Sequence, residues 1–407
     1  MDWNDSPEQA AFRAQVRSFI QQRLPARYRD PARGTGLFEG GWQQDRKSDD
    51  PDARAAADGW AKALAEQGWI APHWPQTYGG AGLTVMEQFI FNHEMARGGA
   101  PAVGGMGVSM LGPTLIVHGS DEQKAEHLPK ILSGEVAWAE GYSEPGAGSD
   151  LAALQMRAVR DGDEYVINGQ KIWTSGAQYS DWLFLLVRTD PEAPKHRGIS
   201  FMLADRNTPG ITVRPLTDMS WNQPFNETFF EEVRVPAKNR VGEENRGWYV
   251  GMTLLDYERS GIGTSVLARR QLGNLIDYVK GDEGRRRSRL ADAQGLRLEV
   301  ADRFIEIEIE EAMSLRIVSI QTAHQIPNYE SSMVKMFGSE SLQRLQRVGT
   351  KVFGLYSNIW DEDSPHAPLR ASFIHGYIWS IPMTIAGGTS EVQRNIIATR
   401  GLGLPRG

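Results

Sequence analysis

Tyr142-Ser143-Glu144-Pro145-Gly146-Ala147-Gly148-Ser149-Asp150 gathers two serine hydroxyls, a pair of carboxylates and a bare backbone into one short stretch. Gly146, Ala147 and Gly148 let the chain approach a ligand closely, and Ser143 and Ser149 offer hydroxyl donors at either end. The segment reads as a binding loop; its plain alternative is a tight connection between domains. Further on, Lys171-Ile172-Trp173-Thr174-Ser175-Gly176 follows a strand-like run. A Trp followed by two hydroxyl residues and Gly can lay an indole against a planar ligand and point hydroxyls at its polar edge.

Around these segments the chain changes texture twice. Ser6-Pro7-Glu8-Gln9, then Ala10, Phe12, Val16, Phe19 and Ile20, predict a capped amphipathic helix ended by Pro25. Helices are predicted near 52–67, 84–97, 109–118 and 120–132, with a Gly/Pro-rich stretch over 68–82. Short β-rich runs near 155–159, 164–167, 182–189, 198–203, 212–215 and 229–235 are divided by Asp-Gly, Asn-Gly and Pro-Gly turn signals. From Gly247 the pattern is helical again, near 247–280, 290–322 and 331–353 and from Ser390. Phe304 to Glu310 alternates like a strand, but Ile309, Met313, Ile317 and Ile320 continue at helical spacing, so helix is expected. The expected fold class is α+β multidomain: a helical domain over 1–135, a small β domain over 136–241 and a helical domain over 242–407.

At 407 residues and 40% apolar content the chain can bury a sizeable core in two or three packed units. Lys and Arg number 44 against 51 Asp and Glu, a net charge of -7, which gives no support for nucleic acid or an anionic membrane as a partner. With no Cys, disulfides, thiolate-bound clusters and a cysteine nucleophile are excluded. None of the eight His pairs with another at helical ligand spacing, so no metal is expected. Met1 to Asp5 carries no basic segment before an apolar run, and no stretch reaches membrane-spanning length, so no membrane insertion and a cytoplasmic location are expected. Gly146-Ala147-Gly148 lacks the third Gly and the flanking strand and helix of a dinucleotide fingerprint.

The two quoted segments together resemble the flavin-binding middle domain of the acyl-CoA dehydrogenase family, whose signature is a hydroxyl residue followed by Glu-Pro-Gly-Ala-Gly-Ser-Asp. The resemblance covers essentially the whole chain. It implies an N-terminal helical domain, a central β-barrel and a C-terminal four-helix bundle. It also implies bound FAD, an acyl-CoA substrate, an electron-transfer flavoprotein as acceptor, and a role in fatty-acid or steroid side-chain degradation. Tyr142, Ser143, Gly148, Ser149, Trp173, Thr174, Ser175, Thr389 and Glu391 match cofactor-contacting positions, and Ser149 also lies toward the coenzyme A portion.

Desaturating an acyl thioester needs a base for the α proton, hydrogen bonds that stabilise the enolate-like charge, and a hydride acceptor that no side chain supplies, here flavin N5. One branch of the family carries the base in a Glu-Gly-Thr segment near the C-terminus; here the aligned residue is Gly387, in Ala386-Gly387-Gly388-Thr389-Ser390-Glu391. In the isovaleryl and long-chain branches the base lies in a Glu-Arg pair on the first long helix of the C-terminal domain, and Leu255-Asp256-Tyr257-Glu258-Arg259 stands there. Glu258 is the expected base. Gly251, Leu254, Leu255, Gly261, Ile262 and Ser265 share its helical face and leave a dry recess that raises a carboxyl pKa. Asp256, roughly 200 degrees away on an ideal helix, is the alternative. Asp256, Arg259 and Gly388 are placed on the substrate side. An ordinary surface Glu beside an Arg is the bland reading of the pair. Ser390 with Gln393 predicts a capping box at the last helix, whose N-terminus favours an anionic cofactor or a thioester carbonyl.

Two family segments are degraded, at Gly284 to Arg289 and at Val348 to Leu355. Both belong to cross-subunit FAD contacts in the family, so the expectation is either a homotetramer or a base-bearing subunit of an α2β2 heterotetramer. The rival readings are an oxidase or monooxygenase on the same scaffold and a non-catalytic supporting subunit.

Overall fold

The computed structural model describes residues 4–29, 41–257 and 262–405. It contains two compact units, one of Met1–Gly40, Thr84–Pro101 and Arg259–Gly407, the other of Gly41–Leu83 and Ala102–Glu258. The helical N-terminal third thus contributes to both.

In chain order the elements begin with α1 (Pro7–Arg23), α2 (Ala26–Arg29), α3 (Trp42–Asp45), α4 (Pro51–Ala65), α5 (Val85–Gly98), α6 (Gly112–His118) and α7 (Asp121–Leu132). The strands follow: β1 (Trp138–Gly141), β2 (Arg157–Asp161), β3 (Glu164–Lys171), β4 (Trp182–Arg188), β5 (Ile199–Asp205), β6 (Ile211–Leu216), β7 (Phe225–Pro236) and β8 (Arg240–Val241). The chain closes with α8 (Gly247–Tyr257), α9 (Ile262–Lys280), α10 (Asp282–Arg287), α11 (Gln294–Thr322), α12 (Tyr329–Phe353), α13 (Ser372–Met383) and α14 (Ser390–Ile396). Helical ends flank a central sheet domain, as expected. Ser6 caps α1 as expected, through a capping box with Gln9, and Phe304 to Glu310 is helical within α11.

The sheet runs β6-β7-β3-β2-β4-β5-β8, with β1 added parallel to β4. Its core is Ala158, Tyr165, Ile167, Leu183, Leu185, Val187, Met202, Phe230, Val233 and their neighbours. Leu183 to Val187 are all fully buried, so β4 is covered on both faces and reads as a continuous apolar run. On its second face Phe184 stacks on Phe201, and Tyr142 meets both rings edge-on.

Helix α8 lies on this part of the sheet through two glycines one turn apart. A Cβ on Gly247 would stand 2.3 Å from the Phe201 amide nitrogen and the Ser200 carbonyl carbon, and one on Gly251 would stand 3.2 Å from the Tyr142 hydroxyl. Only bare backbone fits at Gly247, so close docking of this helix is written into two residues.

In the other unit α9, α11, α12 and α13 supply one core: Ala268, Leu272 and Leu275 from α9, Leu296 and Ile307 from α11, Leu345, Val348 and Val352 from α12, and Phe373 from α13. This is the four-helix bundle. A second cluster joins α5 to it through Phe89, Ile90, Val266 and Val318.

Several expectations differ, and the short helices α2, α3 and α10 were not expected. The helix expected over 247–280 is described as α8 and α9, residues 258–261 lying outside the described set. Helix α13 was not expected, because it opens without a side-chain cap at Ala371 and carries Gly376 and Pro382 inside an apolar run. Strand β1 was not expected either; four residues are too few to show a period, and it is fixed by pairing to β4.

Candidate active site

The loop from Tyr142 to Asp150 is held from beneath by a buried ion pair. Lys171 ends β3, where the alternation Tyr165, Ile167, Gly169, Lys171 directs it inward. Its Nζ is 2.8 Å from Glu144 Oε1 and 3.0 Å from the Tyr142 carbonyl, in a fully buried setting. Burial pushes the Lys171 ammonium down to about 8, and the Glu144 charge opposes that shift. The Glu144 carboxylate also accepts the amides of Gln155 at 2.6 Å and Met156 at 2.9 Å. Glu144 and Ala147 exchange backbone hydrogen bonds across the turn between them, and Ile172 N donates to the Ser143 carbonyl at 2.9 Å. Loop and strand end therefore move as one piece.

The second segment is equally fixed. Trp173 adopts φ 59°, uncommon for a bulky residue, and stays 56% exposed while its ring stands perpendicular to Phe225 at 5.7 Å. Thr174 N donates to the Asn226 carbonyl at 3.1 Å, and Asn226 Nδ2 returns a bond to the Thr174 carbonyl at 2.8 Å. A large indole held in left-handed backbone and facing solvent makes this segment a candidate ligand surface.

The expected cofactor residues separate on this geometry. Ser143 and Ser175 are part-exposed, Gly148 and Ser149 are exposed, and Trp173 presents its ring. Thr174 is turned inward, its hydroxyl meeting Thr228 Oγ1 at 3.3 Å, so it is a strut of the segment rather than a ligand-facing hydroxyl. Tyr142 is likewise interior, and its buried hydroxyl has no partner among the described residues. Burial and the Glu140 charge raise its pKa well above the usual value, so it stays protonated.

Helix α8 ends in the turn containing Asp256, and Glu258 and Arg259 lie outside the described residues. Toward the C-terminus, Gly387 and Gly388 have φ 63° and 88°. Lys335 Nζ donates to the Gly388 carbonyl at 2.6 Å, and Gln393 Nε2 donates to the Gly387 and Gly388 carbonyls at 3.0 and 3.3 Å. The predicted capping box is corrected here. Thr389, extended at φ −60° and ψ 161°, is the cap, accepting from Val392 N at 3.2 Å. Gln393 thereby falls one position too late for the box and secures the glycine loop instead. Ser390 is buried, and its hydroxyl has no partner among the described residues. Exposed Glu391 is held below the usual carboxylate range by its own amide and by Thr389.

Lys171 and Asn226 were not singled out from the sequence. The inward parity of Lys171 was the available signal, since a strand that buries a lysine must supply an acid. Among the described residues no group of His, Asp and Glu could hold a metal, and no helix is long and apolar enough to cross a membrane. His93 sits beside Glu94, whose buried carboxylate is taken by Arg13 and Arg17.

Three family models match in sequence: the acyl-CoA dehydrogenase N-terminal domain over 6–135, middle domain over 139–233 and C-terminal domain over 245–402. The chain belongs to the acyl-CoA dehydrogenase family. It is a flavin-dependent oxidoreductase of acyl-CoA substrates, as its relatives are. The acyl-CoA dehydrogenase FadE26 of Mycobacterium tuberculosis is 37% identical over 84% of this chain and 86% of its own. Acyl-CoA dehydrogenase IpdE1 of the same organism is 34% identical over 97% of each. Among solved structures, the Tcur3481-Tcur3483 steroid ACAD matches with a TM-score of 0.85 at 33% identity over 100% of both chains. The ChsE4-ChsE5 complex from Mycobacterium tuberculosis matches with 0.82 at 34% identity, also over 100% of both.

Proposed function

We propose that this chain desaturates an acyl-CoA thioester between its α and β carbons with FAD as cofactor and Glu258 as the base. The observation that carries the reading is the pinned loop pair, in which a half-exposed indole in left-handed backbone follows two residues after the lysine of a buried Lys171-Glu144 anchor. The fit to a flavin rests on that exposed ring and on the accessible Ser143 and Ser175 hydroxyls. When bound, FAD supplies the hydride acceptor that no side chain can. Trp173, Ser143, Ser175, Gly148 and Ser149 would hold it, with Thr389 and Glu391 at the other domain's contribution. Glu258 takes the α proton; Arg259, Gly388 and Asp256 line the substrate side.

Domain boundaries near 135 and 241, an electron-transfer flavoprotein as acceptor and a cytoplasmic location belong to the same proposal. So does a bulky, polycyclic acyl group, supported by the steroid ACAD among its structural relatives. A second reading is a supporting subunit of an α2β2 assembly that borrows its base. It is favoured by Gly387, which carries no acid, and by the two-chain ChsE4-ChsE5 relative. The alternative assembly is a homotetramer.

Titration of wild type and Glu258→Gln with a panel of acyl-CoA thioesters, following flavin absorbance, tests the proposal. Wild type should bleach while the variant binds without bleaching. Equal bleaching by both removes Glu258 from the role and brings Asp256 or a partner's acid forward.

A further inference from the structure

Helix α3, the four residues Trp42–Asp45, is too short to stand by itself, and it is fixed at both ends within the unit that carries the sheet. Trp42 is buried, and its indole N–H donates to the Ala57 carbonyl at 3.0 Å. Just past the other end, Arg46 donates to the Glu135 carbonyl at 2.6 Å, and Arg46 and Lys47 meet the Asp181 carboxylate at 3.2 and 2.8 Å. Gln43 stands between these anchors. It is part-exposed, and its side-chain amide makes no hydrogen bond among the described residues. The amide lies instead between two glycines in left-handed backbone. A Cβ on Gly105 (φ 50°) would stand 2.8 Å from Gln43 Oε1, and one on Gly176 (φ 66°) would meet Gln43 Nε2 at 3.7 Å and nothing else within 4 Å. Neither glycine can offer the amide a side-chain partner.

Gly176 closes the segment whose Trp173 ring and Ser175 hydroxyl form the proposed flavin surface, so Gln43 Nε2 approaches the backbone one peptide unit beyond Ser175. We propose that Gln43 is a further cofactor-binding residue, its amide pairing with the polar edge of the flavin ring. The inference rests on the flavin reading of Trp173 and Ser175. That edge of the ring carries an N–H flanked by two carbonyl oxygens, a row of acceptor, donor and acceptor in one plane. A carboxamide presents a donor and an acceptor side by side in its own plane, the pattern by which Asn and Gln pair with two adjacent atoms of adenine. An ammonium or a carboxylate would offer one kind of partner only. The anchoring of α3 supports the same reading, because Trp42, Arg46 and Lys47 together fix the position of an amide that no described group uses. Asp181 answers both neighbouring cations, so what α3 presents toward Gly176 is a neutral hydrogen-bonding group.

The test uses the full chain with any co-purifying partner. Wild type, Gln43→Leu and Gln43→Glu are stripped of flavin and titrated with FAD, and the reduction potential of each FAD-loaded protein is measured. Melting of the three apoproteins is recorded in parallel. Gln43→Leu keeps the bulk and loses the pairing, and its Kd for FAD should rise about fivefold, the worth of one neutral hydrogen bond. Gln43→Glu puts a negative charge beside a ring that gains negative charge on reduction, so its potential should move to more negative values. The apoproteins should melt together. Unchanged Kd and potential in both variants overturn the proposal. So does a weaker Kd that comes with a lower apoprotein melting temperature, which marks a structural role. Full FAD affinity with loss of thioester-dependent bleaching also overturns it and moves Gln43 to the acyl side. A wild-type protein that takes up no FAD removes the flavin reading itself, and this assignment with it.

Discussion

Lys171 Nζ stands 2.8 Å from Glu144 Oε1 with both side chains out of water, and through this one contact the end of a barrel strand governs the shape of the loop above it. Breaking such a pair by removing one partner leaves a buried charge. Lys171→Met and Glu144→Gln should each cost about 3 kcal/mol in urea unfolding. The double variant should cost less than the sum, since neither charge is then left alone. Strict additivity would show that the two groups are not coupled.

Trp173→Gly separates ligand binding from folding. The left-handed backbone at 173 costs a tryptophan about 1 kcal/mol and glycine nothing, so the apoprotein should melt no lower than wild type. FAD content per chain after gel filtration should nevertheless fall sharply. A variant that retains full flavin would remove Trp173 from the cofactor surface.

Gly247→Ala places a methyl 2.3 Å from the backbone of Ser200 and Phe201, neither of which can rotate away. A loss of about 2 kcal/mol is expected, the range of an overpacked core. Because α8 leads into the segment with Glu258, acyl-CoA-dependent bleaching should slow in the fraction that remains folded. Unchanged stability would mean that α8 is not docked as described.

Glu310 is buried in α11 with neither carboxyl oxygen partnered among the described residues, and burial, with Glu306 adding to it, pushes its pKa up to about 8. Folded Glu310 keeps its proton where the unfolded chain has lost it, so its stability contribution is complete below pH 4.5 and declines as pH rises through about 8. Relative to Glu310→Gln, wild type should therefore lose about 3 kcal/mol between pH 5.5 and 8, read from paired denaturant curves. Parallel pH profiles would contradict the buried carboxyl.

Much of the architecture is legible because its signals are local. Ser6 and Gln9 announce α1, turn dipeptides mark the strands, and the long 3.6-residue rhythm of α11 overrides the alternation at Phe304 to Glu310. What escapes is set by tertiary contact. Four residues of β1 become a strand only beside β4, and α13 has no cap to declare it. In the site, the motif names Ser143 and Trp173 but not what holds them. Lys171 looks like any strand-end lysine until parity and Glu144 are considered together, and the cap at Thr389 depends on a backbone angle that Ser390 could equally have taken.

The glycine pair at 387 and 388 bears on descent as much as on chemistry. A carboxylate introduced at 387 by one substitution would arrive on a backbone with φ 63°, a conformation that side-chain-bearing residues adopt at a cost, while Lys335 and Gln393 clamp the neighbouring carbonyls in place. The acid and the loop would have to change together, with a less stable intermediate between. Once a proton acceptor is established elsewhere in such a chain, this corner of the fold works as a ratchet, and lineages that share the glycine pair are expected to keep their base away from it.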